Sequence, residues 1–190
     1  MVRTTPADGE IAAIDTIVLA FTADPVTRWC FPDSHDYLTS MPLFTRAFGG
    51  AAFLHGSAHC TDDYGGAAFW LPPNVHVDEK ALVDVLERTT SESIRGDLFA
   101  VFEQMGQYHP AEPHWYLPLI GVDPAYQGKG YGGALMKHAL EQCDRDHSAA
   151  YLESTNPRNV SLYQRHGFEA LGTIQKGTSP PLVPMLRKSR

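Results

Sequence analysis

A glycine-rich loop between an apolar segment and an amphipathic segment constrains this chain more than any other feature. The apolar segment, "HWYLPLIGVDP", predicts a strand buried on both faces, and the amphipathic one, from the loop to about Asp146, predicts a helix. Glycine inside a helix costs about 1 kcal/mol relative to alanine, so the four glycines at 128, 130, 132 and 133 indicate close approach to the backbone. Because free N–H groups and the positive dipole end meet at a helix start, the loop predicts a main-chain anion site.

The same glycines allow a second interpretation of the anion. Gly128, Gly130 and Gly133 spell G-x-G-x-x-G, the dinucleotide-binding pattern, and Glu153 lies 20 residues past the last of them. In that pattern the first glycine follows its strand at once, whereas "DPAYQ" intervenes here after Val122. About 60 residues follow the loop, too few for a six-stranded doubly wound domain that begins with the motif. A dinucleotide-binding enzyme is therefore the disfavoured alternative.

Strand and helix patterns alternate along the chain, which predicts an α/β (α+β) fold around a mixed sheet. "VRTT" predicts a strand, and "DGEIAAIDTIVLAF" predicts a helix with Ile11, Ile14, Val18 and Phe21 at helical spacing. Further helices are predicted for "SHDYLTSMPLFTRAF" and "DEKALVDVLERTTSES", and two or three strands for "GAAFLHGSAHCTDDYGGAAFWLPP". After the loop and its helix we expect a strand "AAYLES", a short helix, and terminal strands "FEALGTIQK" and "LVPMLRK". Residues 1–190, 43% of them hydrophobic, are expected to form a single domain.

Composition excludes several classes of partner. A formal net charge of −7 argues against nucleic acid, which binds to clustered basic residues. No run of about 18 apolar residues predicts a membrane span, and the N-terminus lacks a signal-peptide pattern. Three widely spaced cysteines indicate a reducing environment, so a cytoplasmic location is expected. His55, His59 and Cys60 fall in a strand-and-turn segment, so no metal site is expected.

Two segments carry a family resemblance in order and at family spacing. "GVDPAYQGKGYGGALM" contains Q-x-x-G-x-G, from Gln127 to Gly132. "YLESTNPRNVSLYQRHGF" places Asn156 seven residues before Tyr163 and closes on Gly167 and Phe168. Together they resemble the acetyl-CoA motif and the fourth-helix motif of the GNAT family of N-acetyltransferases. The resemblance implies a mixed, mostly antiparallel central sheet, splayed between its fourth and fifth strands and flanked by helices.

The resemblance also implies an activity. Acetyl-CoA would serve as co-substrate, and the primary amine of a small molecule would attack its thioester directly, through a tetrahedral intermediate. The segments "AFTADPVTRWCFPDSH", "GGAAFWLPP" and "HPAEPHWYLPLIGVDPAYQGKGYG" further resemble the puromycin N-acetyltransferase branch of the family. The expected partner is thus a small-molecule amine rather than nucleic acid or membrane, and the expected state is a monomer or homodimer.

The same resemblance assigns the residues that hold the coenzyme. The pyrophosphate would be held by the loop, at Gln127, Gly128, Lys129, Gly130, Tyr131, Gly132 and Gly133. The pantetheine arm would pair, as an added strand does, with the main chain at Ile120, Gly121 and Val122. Gly121 suits the bulge that the family carries in this strand. Asn156, or Asn159 as second choice, would contact the pantetheine.

Tyr163 is the candidate proton donor for the leaving thiolate. Asn156 is placed to cap a helix that starts at Pro157, and Gly167 to end it, which fixes the direction of the phenol. Since the pKa of tyrosine is about 10, the phenol stays protonated at pH 7 and can donate to a thiolate with a pKa of about 8.5. Core packing beside Val160 is the alternative role.

The base that takes the proton of the acceptor ammonium has several candidates. Glu153 leads, because it shares a strand face with Tyr151 and lies just before the fourth-helix motif. Glu112, His114 and a chain of water molecules are alternatives, His114 because imidazole titrates at about pH 6.5. A non-catalytic acyl-CoA sensor would keep the loop and lose this chemistry, and the presence of Tyr163 argues against it.

Overall fold

Seven strands form one sheet in the computed structural model, which describes residues 1–190. The strands are β1 (Val2–Thr4), β2 (Ala58–Thr61), β3 (Gly66–Leu71), β4 (His114–Val122), β5 (Ala149–Ser154), β6 (Glu169–Ala170) and β7 (Val183–Arg187). Their order across the sheet is β1-β2-β3-β4-β5-β7-β6, and only β4 and β5 run parallel to each other. The mixed, mostly antiparallel sheet expected from the sequence is confirmed.

Eight helices cover the two faces of this sheet. They are α1 (Glu10–Ala20), α2 (Pro25–Cys30), α3 (Ser34–Gly49), α4 (Ala51–Leu54), α5 (Glu79–Thr89), α6 (Glu92–Tyr108), α7 (Tyr131–Arg145) and α8 (Val160–Arg165). α7 and α8 pack on one face, against Trp70 and Leu152. α1, α3, α5 and α6 pack on the other, against Phe69 and Tyr151, because neighbouring strand residues point to opposite faces. None of the helices combines the length and apolar character needed to cross a membrane.

Several segments differ from the expectation. α1 turns Ile11 outward, at 69% exposure, and buries Ala13 and Ile17 instead, because alanine lets the helix lie close to the sheet. Residues Ala51–Leu54 form a helical turn at the start of a segment for which two or three strands were expected, and the rest of that segment supplies two, β2 and β3. The segment "FEALGTIQK" supplies only the two-residue strand β6 and an isolated bridge from Ile174 to Leu182.

Helix α6 was not predicted. Its sequence, "ESIRGDLFAVFEQMGQY", carries two glycines and only a weak apolar stripe. Three buried residues, Leu98, Val101 and Met105, anchor it on the core beside α3 and α5. Tertiary packing thus stabilises a helix that its intrinsic propensity disfavours.

The sheet opens between β4 and β5. Parallel pairing covers only the first four residues of β4, from His114 opposite Ala149 to Leu117 opposite Leu152. The remaining residues of β4 have no partner on this side, while on the other side β4 stays paired with β3 as far as Val122. The expected splay between the fourth and fifth strands is therefore present.

A β-bulge lies where the two strands separate. β3 and β4 shift register so that Phe69 faces Leu119 but Leu71 faces Tyr116, which leaves one extra residue in β4. That residue falls at Leu117 or Pro118, and proline has no N–H to donate to a ladder. The bulge was expected at Gly121, and that position is wrong. Gly121 pairs in regular register with Ala67, whereas the bulge bends the strand at the point where pairing with β5 stops.

Gly121 has a different role, since its lack of a side chain lets α1 pack closely against β4. A Cβ atom at this position would overlap the Cβ of Ala20 and lie 3.4 Å from the Cδ1 of Ile17. The bare backbone thus lets the end of α1 approach the opened part of β4 closely. This contact sets the distance between α1 and the strand edge that faces the splay.

We expect Gly121→Ala to destabilise the fold by about 1–3 kcal/mol, the usual cost of overpacking. Ala20→Gly should cost only about 0.5–1 kcal/mol alone, and the double variant should recover most of the loss because the overlapping methyl group is gone. Denaturant unfolding of the four proteins measures this. Additive losses in the double variant would mean that Gly121 and Ala20 do not meet in solution.

Candidate active site

A cavity of about 610 Å³ occupies the opening between β4 and β5. It runs from the end of α1, between the two strands, to the glycine loop and α8. The structure brings nearly every predicted site residue to its wall, namely Ile120, Gly121, Val122, Gln127, Gly128, Gly130, Tyr131, Gly132, Gly133, Glu153, Asn156, Asn159 and Tyr163. Lys129 is the exception.

The glycine loop presents its main chain to this cavity. Gly128 and Gly130 have φ angles of +76° and +84°, and a Cβ atom at either position would meet no other group. Glycine is needed here for its backbone conformation, since other residues rarely adopt positive φ. Gly130 then caps α7, whose first N–H groups have no partner in the helix and open on the cavity. The arrangement suits an anion such as a phosphate.

The longer side chains of the loop brace it from outside. The Gln127 amide donates to the carbonyl of Val122 at 3.2 Å. The Lys129 ammonium donates to the carbonyl of Ala125 at 3.1 Å and lies over the ring of Tyr126, which explains why it leaves the cavity wall. The side chains at 127 and 129 therefore bind protein carbonyls, and the loop presents its backbone N–H groups to the cavity.

Tyr131 ties the loop to the turn between β2 and β3. Its hydroxyl donates to Asp63 Oδ2 at 2.7 Å, and Thr61 donates to the other carboxylate oxygen at 2.7 Å. These hydrogen bonds, led by that of Tyr131, lower the pKa of Asp63 to about 2. The carboxylate is thus ionised at neutral pH and holds the start of α7 in place.

Gly130→Asp should abolish coenzyme binding, because it places a carboxylate beside the predicted pyrophosphate. Gly56→Asp is a matched control: Gly56 also has a positive φ, of +63°, and open space around it, but it lies outside the cavity. The two variants then carry the same backbone strain and the same added charge. Only Gly130→Asp should lose affinity for acetyl-CoA in isothermal titration. Equal affinity of the two folded variants would place the anion site elsewhere.

Asn156 and Pro157 shape the connection from β5 to α8. The Asn156 Oδ1 atom accepts a hydrogen bond from the N–H of Arg158 at 3.1 Å, and Pro157 takes the first position of the turn, as predicted. Gly167 ends α8 with a φ of +89°. Asn159 ends the turn and is exposed. The capped turn before α8 and Gly167 after it bracket a helix of six residues on the cavity wall.

Tyr163 projects from α8 and is only 5% exposed. Its ring packs edge-on to Phe168, with centroids 6.3 Å apart, within the core cluster on the α7 and α8 face. Burial, together with the charge of Asp24, raises the pKa of the phenol above its usual value of about 10. The side chain thus belongs to the core and to the cavity wall at once, and it holds its proton at neutral pH.

Glu153 lies in β5 immediately beyond the last residue paired with β4. Its side chain is 3% exposed, and its Oε2 atom accepts a hydrogen bond from the Tyr116 hydroxyl at 2.9 Å. The Oε1 atom accepts no hydrogen bond, and its neighbour is His109 Nε2 at 3.4 Å. Sequence reasoning found the carboxylate but missed both neighbours, which come from β4 and from the end of α6.

The alternative bases, Glu112 and His114, line a different cavity. This second cavity, of about 520 Å³, lies among α5, α6 and the start of β4, and His109 and Tyr116 also line it. Glu153 therefore separates the two cavities, because it lines the first and touches two residues of the second. No group of three His, Cys, Asp or Glu side chains is arranged to hold a metal ion.

Asp24 is a cavity residue that sequence reasoning missed. It caps α2 through a hydrogen bond from the Thr27 N–H at 3.0 Å, and its other oxygen accepts from the Thr155 hydroxyl at 2.6 Å. The carboxylate thereby links α2 to the loop after β5, across the opening. The Asp-Pro pair at 24–25, typical of a helix start, was the available signal.

Comparisons with known proteins agree with this architecture. Residues 96–168, from α6 to the end of α8, match the model of the acetyltransferase (GNAT) family. An uncharacterized N-acetyltransferase of Schizosaccharomyces pombe is 25% identical over 195 aligned positions, covering 93% of this chain and 78% of the relative. The chain is thus similar to GNAT acetyltransferases along this segment, over most of its sequence and in its fold. It is accordingly an acyltransferase.

Solved structures show the same fold over the whole chain. An acetyltransferase of Corynebacterium glutamicum, described as related to histone acetyltransferase HPA2, superposes with a TM-score of 0.69 at 24% identity, covering 100% of this chain and 96% of that one. A polyamine N-acetyltransferase of Drosophila melanogaster superposes with a TM-score of 0.68 at 13% identity, covering 99% of each. At these identities the likeness establishes the shared GNAT architecture.

Proposed function

We propose that this protein is an acetyl-CoA-dependent N-acetyltransferase that acetylates the primary amine of a small molecule. The observation that carries the proposal is the content of one cavity: a main-chain anion site, the unpaired edge of β4, and the side chains of Tyr163 and Glu153. A non-catalytic sensor would need the first two features only.

The described residues fit the coenzyme. The N–H groups from Gly128 to Gly133 would hold the pyrophosphate, and the edge of β4 from Ile120 to Val122 would pair with the amides of the pantetheine arm. Asn156 or Asn159 would lie beside that arm. Bound there, acetyl-CoA supplies an activated acyl group next to Glu153, with a β4 N–H directed at the thioester oxygen.

Two side chains move the protons of the reaction. Glu153 takes one proton from the acceptor ammonium, so that a neutral amine attacks the carbonyl directly. Burial raises the pKa of Tyr163, so the phenol keeps its proton until the sulfur leaves. It then donates that proton as the C–S bond breaks, and the second proton released by the amine nitrogen restores the phenol. A base and an acid with separate tasks thus share one cavity.

The acceptor is proposed as a small amine on two grounds. The net charge of −7 favours a cationic partner over nucleic acid, and the Drosophila neighbour forms N-acetylagmatine, the amide of a small amine. The resemblance to the puromycin N-acetyltransferase branch stays a prediction. We further propose that residues 1–190 act as one catalytic domain, as a monomer or homodimer in the cytoplasm.

Acetyl-CoA should raise the melting temperature, because a ligand that binds only the native state stabilises it by about 2.7 kcal/mol at 100 times its Kd. NAD should leave the melting temperature unchanged. A thermal-shift titration with both ligands makes the comparison, and equal shifts would reverse the assignment of the loop.

Tyr163→Phe should lower kcat by roughly 10²–10⁴-fold, with the low end favoured because a thiolate is already a good leaving group. KM for acetyl-CoA should change little, since the phenol acts after the carbonyl has been attacked. Tyr64→Phe is the matched control, because Tyr64 lies outside the cavity. If chemistry limits turnover and kcat of Tyr163→Phe stays within twofold of wild type, Tyr163 has no part in the reaction.

A further inference from the structure

A proton that Glu153 takes from the acceptor needs a route to water. The carboxylate is 3% exposed, so bulk water does not reach it directly. Tyr116, which donates to Oε2, offers no exit, because burial and the charge of Glu153 raise its pKa well above 10. Burial likewise raises the pKa of the neighbouring Tyr151. Both phenols therefore keep their protons.

His109 connects Glu153 with the second cavity. Its Nε2 atom lies 3.4 Å from Glu153 Oε1, and its ring lines the 520 Å³ cavity with 31% of the side chain exposed. The rings of Tyr116 and Tyr151 hold the imidazole, with centroids 4.6 Å and 4.4 Å away. His109 also caps the C-terminal end of α6, where the helix dipole stabilises a positive charge. The Glu153 carboxylate and the negative end of the α6 dipole thus both lie beside the ring.

A chain of hydrogen bonds determines which ring nitrogen of neutral His109 carries the hydrogen. His114 Nδ1 lies 2.9 Å from the carbonyl of Glu112, which only accepts, so this nitrogen carries a hydrogen. Burial lowers the pKa of His114, so the ring is neutral at pH 7 and its Nε2 is an acceptor. His109 Nδ1, 3.3 Å away, must then be the donor. In neutral His109 the unprotonated Nε2 therefore faces the carboxylate.

We propose that His109 carries the acceptor's proton from Glu153 to the water of the second cavity, and that His114 holds His109 in the tautomer that makes this transfer feasible. The inference rests on the proposed acetyl transfer, with Glu153 as its base. Both histidines act through Glu153 and do not touch the substrate, so they are positioning residues rather than catalytic ones.

The protons balance in this scheme. An N–H bond of the ammonium breaks as an O–H bond forms on Glu153, and that proton passes to His109 Nε2. The imidazolium then releases it to cavity water, while Nδ1–H stays bound to His114, which restores the starting state. CoA leaves as a thiol protonated by Tyr163, and the second N–H proton of the amine, released as the amide forms, returns to the Tyr163 phenolate and restores the phenol. The net reaction, from ammonium and acetyl-CoA, yields amide, CoA thiol and one proton in solution.

The titratable groups around His109 are few. From β4, β5, the end of α6 and the adjoining loops they are Tyr116, His114, Tyr151, Glu153, Tyr108, Glu112 and His76. The phenols of Tyr116 and Tyr151 stay protonated and His114 stays neutral, as shown above. Glu153 is therefore the one buried carboxylate in contact with the His109 ring.

Chemical rescue tests the transfer. His109→Ala should lower kcat about 10²-fold, the low end for loss of a proton-transfer group, with KM for acetyl-CoA within twofold of wild type. Because the ring lines an open cavity, added imidazole should restore kcat in proportion to its unprotonated form, more at pH 8 than at pH 6. His76→Ala removes another histidine of the same cavity that does not contact Glu153, and should show neither loss nor rescue.

His114→Leu keeps His109 and removes its hydrogen-bond acceptor. It should lower kcat less than His109→Ala does, and ¹⁵N spectra of histidine-labelled protein should show wild-type His114 as the Nδ1–H tautomer. An Nε2–H tautomer at His114 would overturn the proposal even if the His109 variant failed to fold.

Different results overturn the relay and the acetyl transfer. An active wild type whose His109→Ala variant keeps full kcat, or loses it without imidazole rescue while folded, overturns the relay alone. A folded wild type that binds acetyl-CoA but acetylates no amine overturns the proposed function and the relay with it.

Discussion

The early end of pairing between β4 and β5 is the constraint on which the rest of this site depends. A central sheet normally satisfies every main-chain group, and leaving them unpaired is costly. Here Pro118 brings no N–H to the point of separation, and the bulge there turns the strand aside. Gln127 satisfies the carbonyl of Val122, and Asp24 joins the two sides through Thr155. The opening is thus built by specific contacts rather than by a general loosening of the sheet.

In the glycine loop the side chains bind other protein groups, and the main chain faces the cavity. The residues with side chains bind protein groups, as Lys129 does with the carbonyl of Ala125 and Tyr131 with Asp63. The glycines supply backbone conformation and leave N–H groups free at the start of α7. Bracing of this kind holds the loop in one conformation, so the proposed anion site would need less ordering on binding. Lys129 was expected to add its charge to the pyrophosphate site, but it binds a protein carbonyl instead. The backbone N–H groups of the loop are left to face the cavity.

Local signals account for what could be predicted from the sequence. The loop, β5 and the capped α8 follow from glycines, an Asn-Pro start and a terminal Gly167, each of which acts within a few residues. Helix α6 and the neighbours of Glu153 depend on contacts between segments that are distant along the chain. The local sequence pattern therefore could not predict them. The bulge was open to prediction: Pro118, inside an apolar strand, is a stronger sign of broken pairing than Gly121.

In the proposed reaction one proton leaves the acceptor amine through Glu153, and another reaches the leaving thiolate from Tyr163. The sheet keeps these two side chains apart. Glu153 directs its carboxylate to the face of α6, where Tyr116 and His109 surround it. Tyr163 belongs to the core on the face of α7 and α8. Each carrier therefore reaches the cavity from its own side of the splayed strands, with the β5 backbone between their surroundings. A direct hydrogen bond from Tyr163 to Glu153 would occupy both groups, and in the proposed reaction the opening of the sheet lets each act on the substrate from its own side.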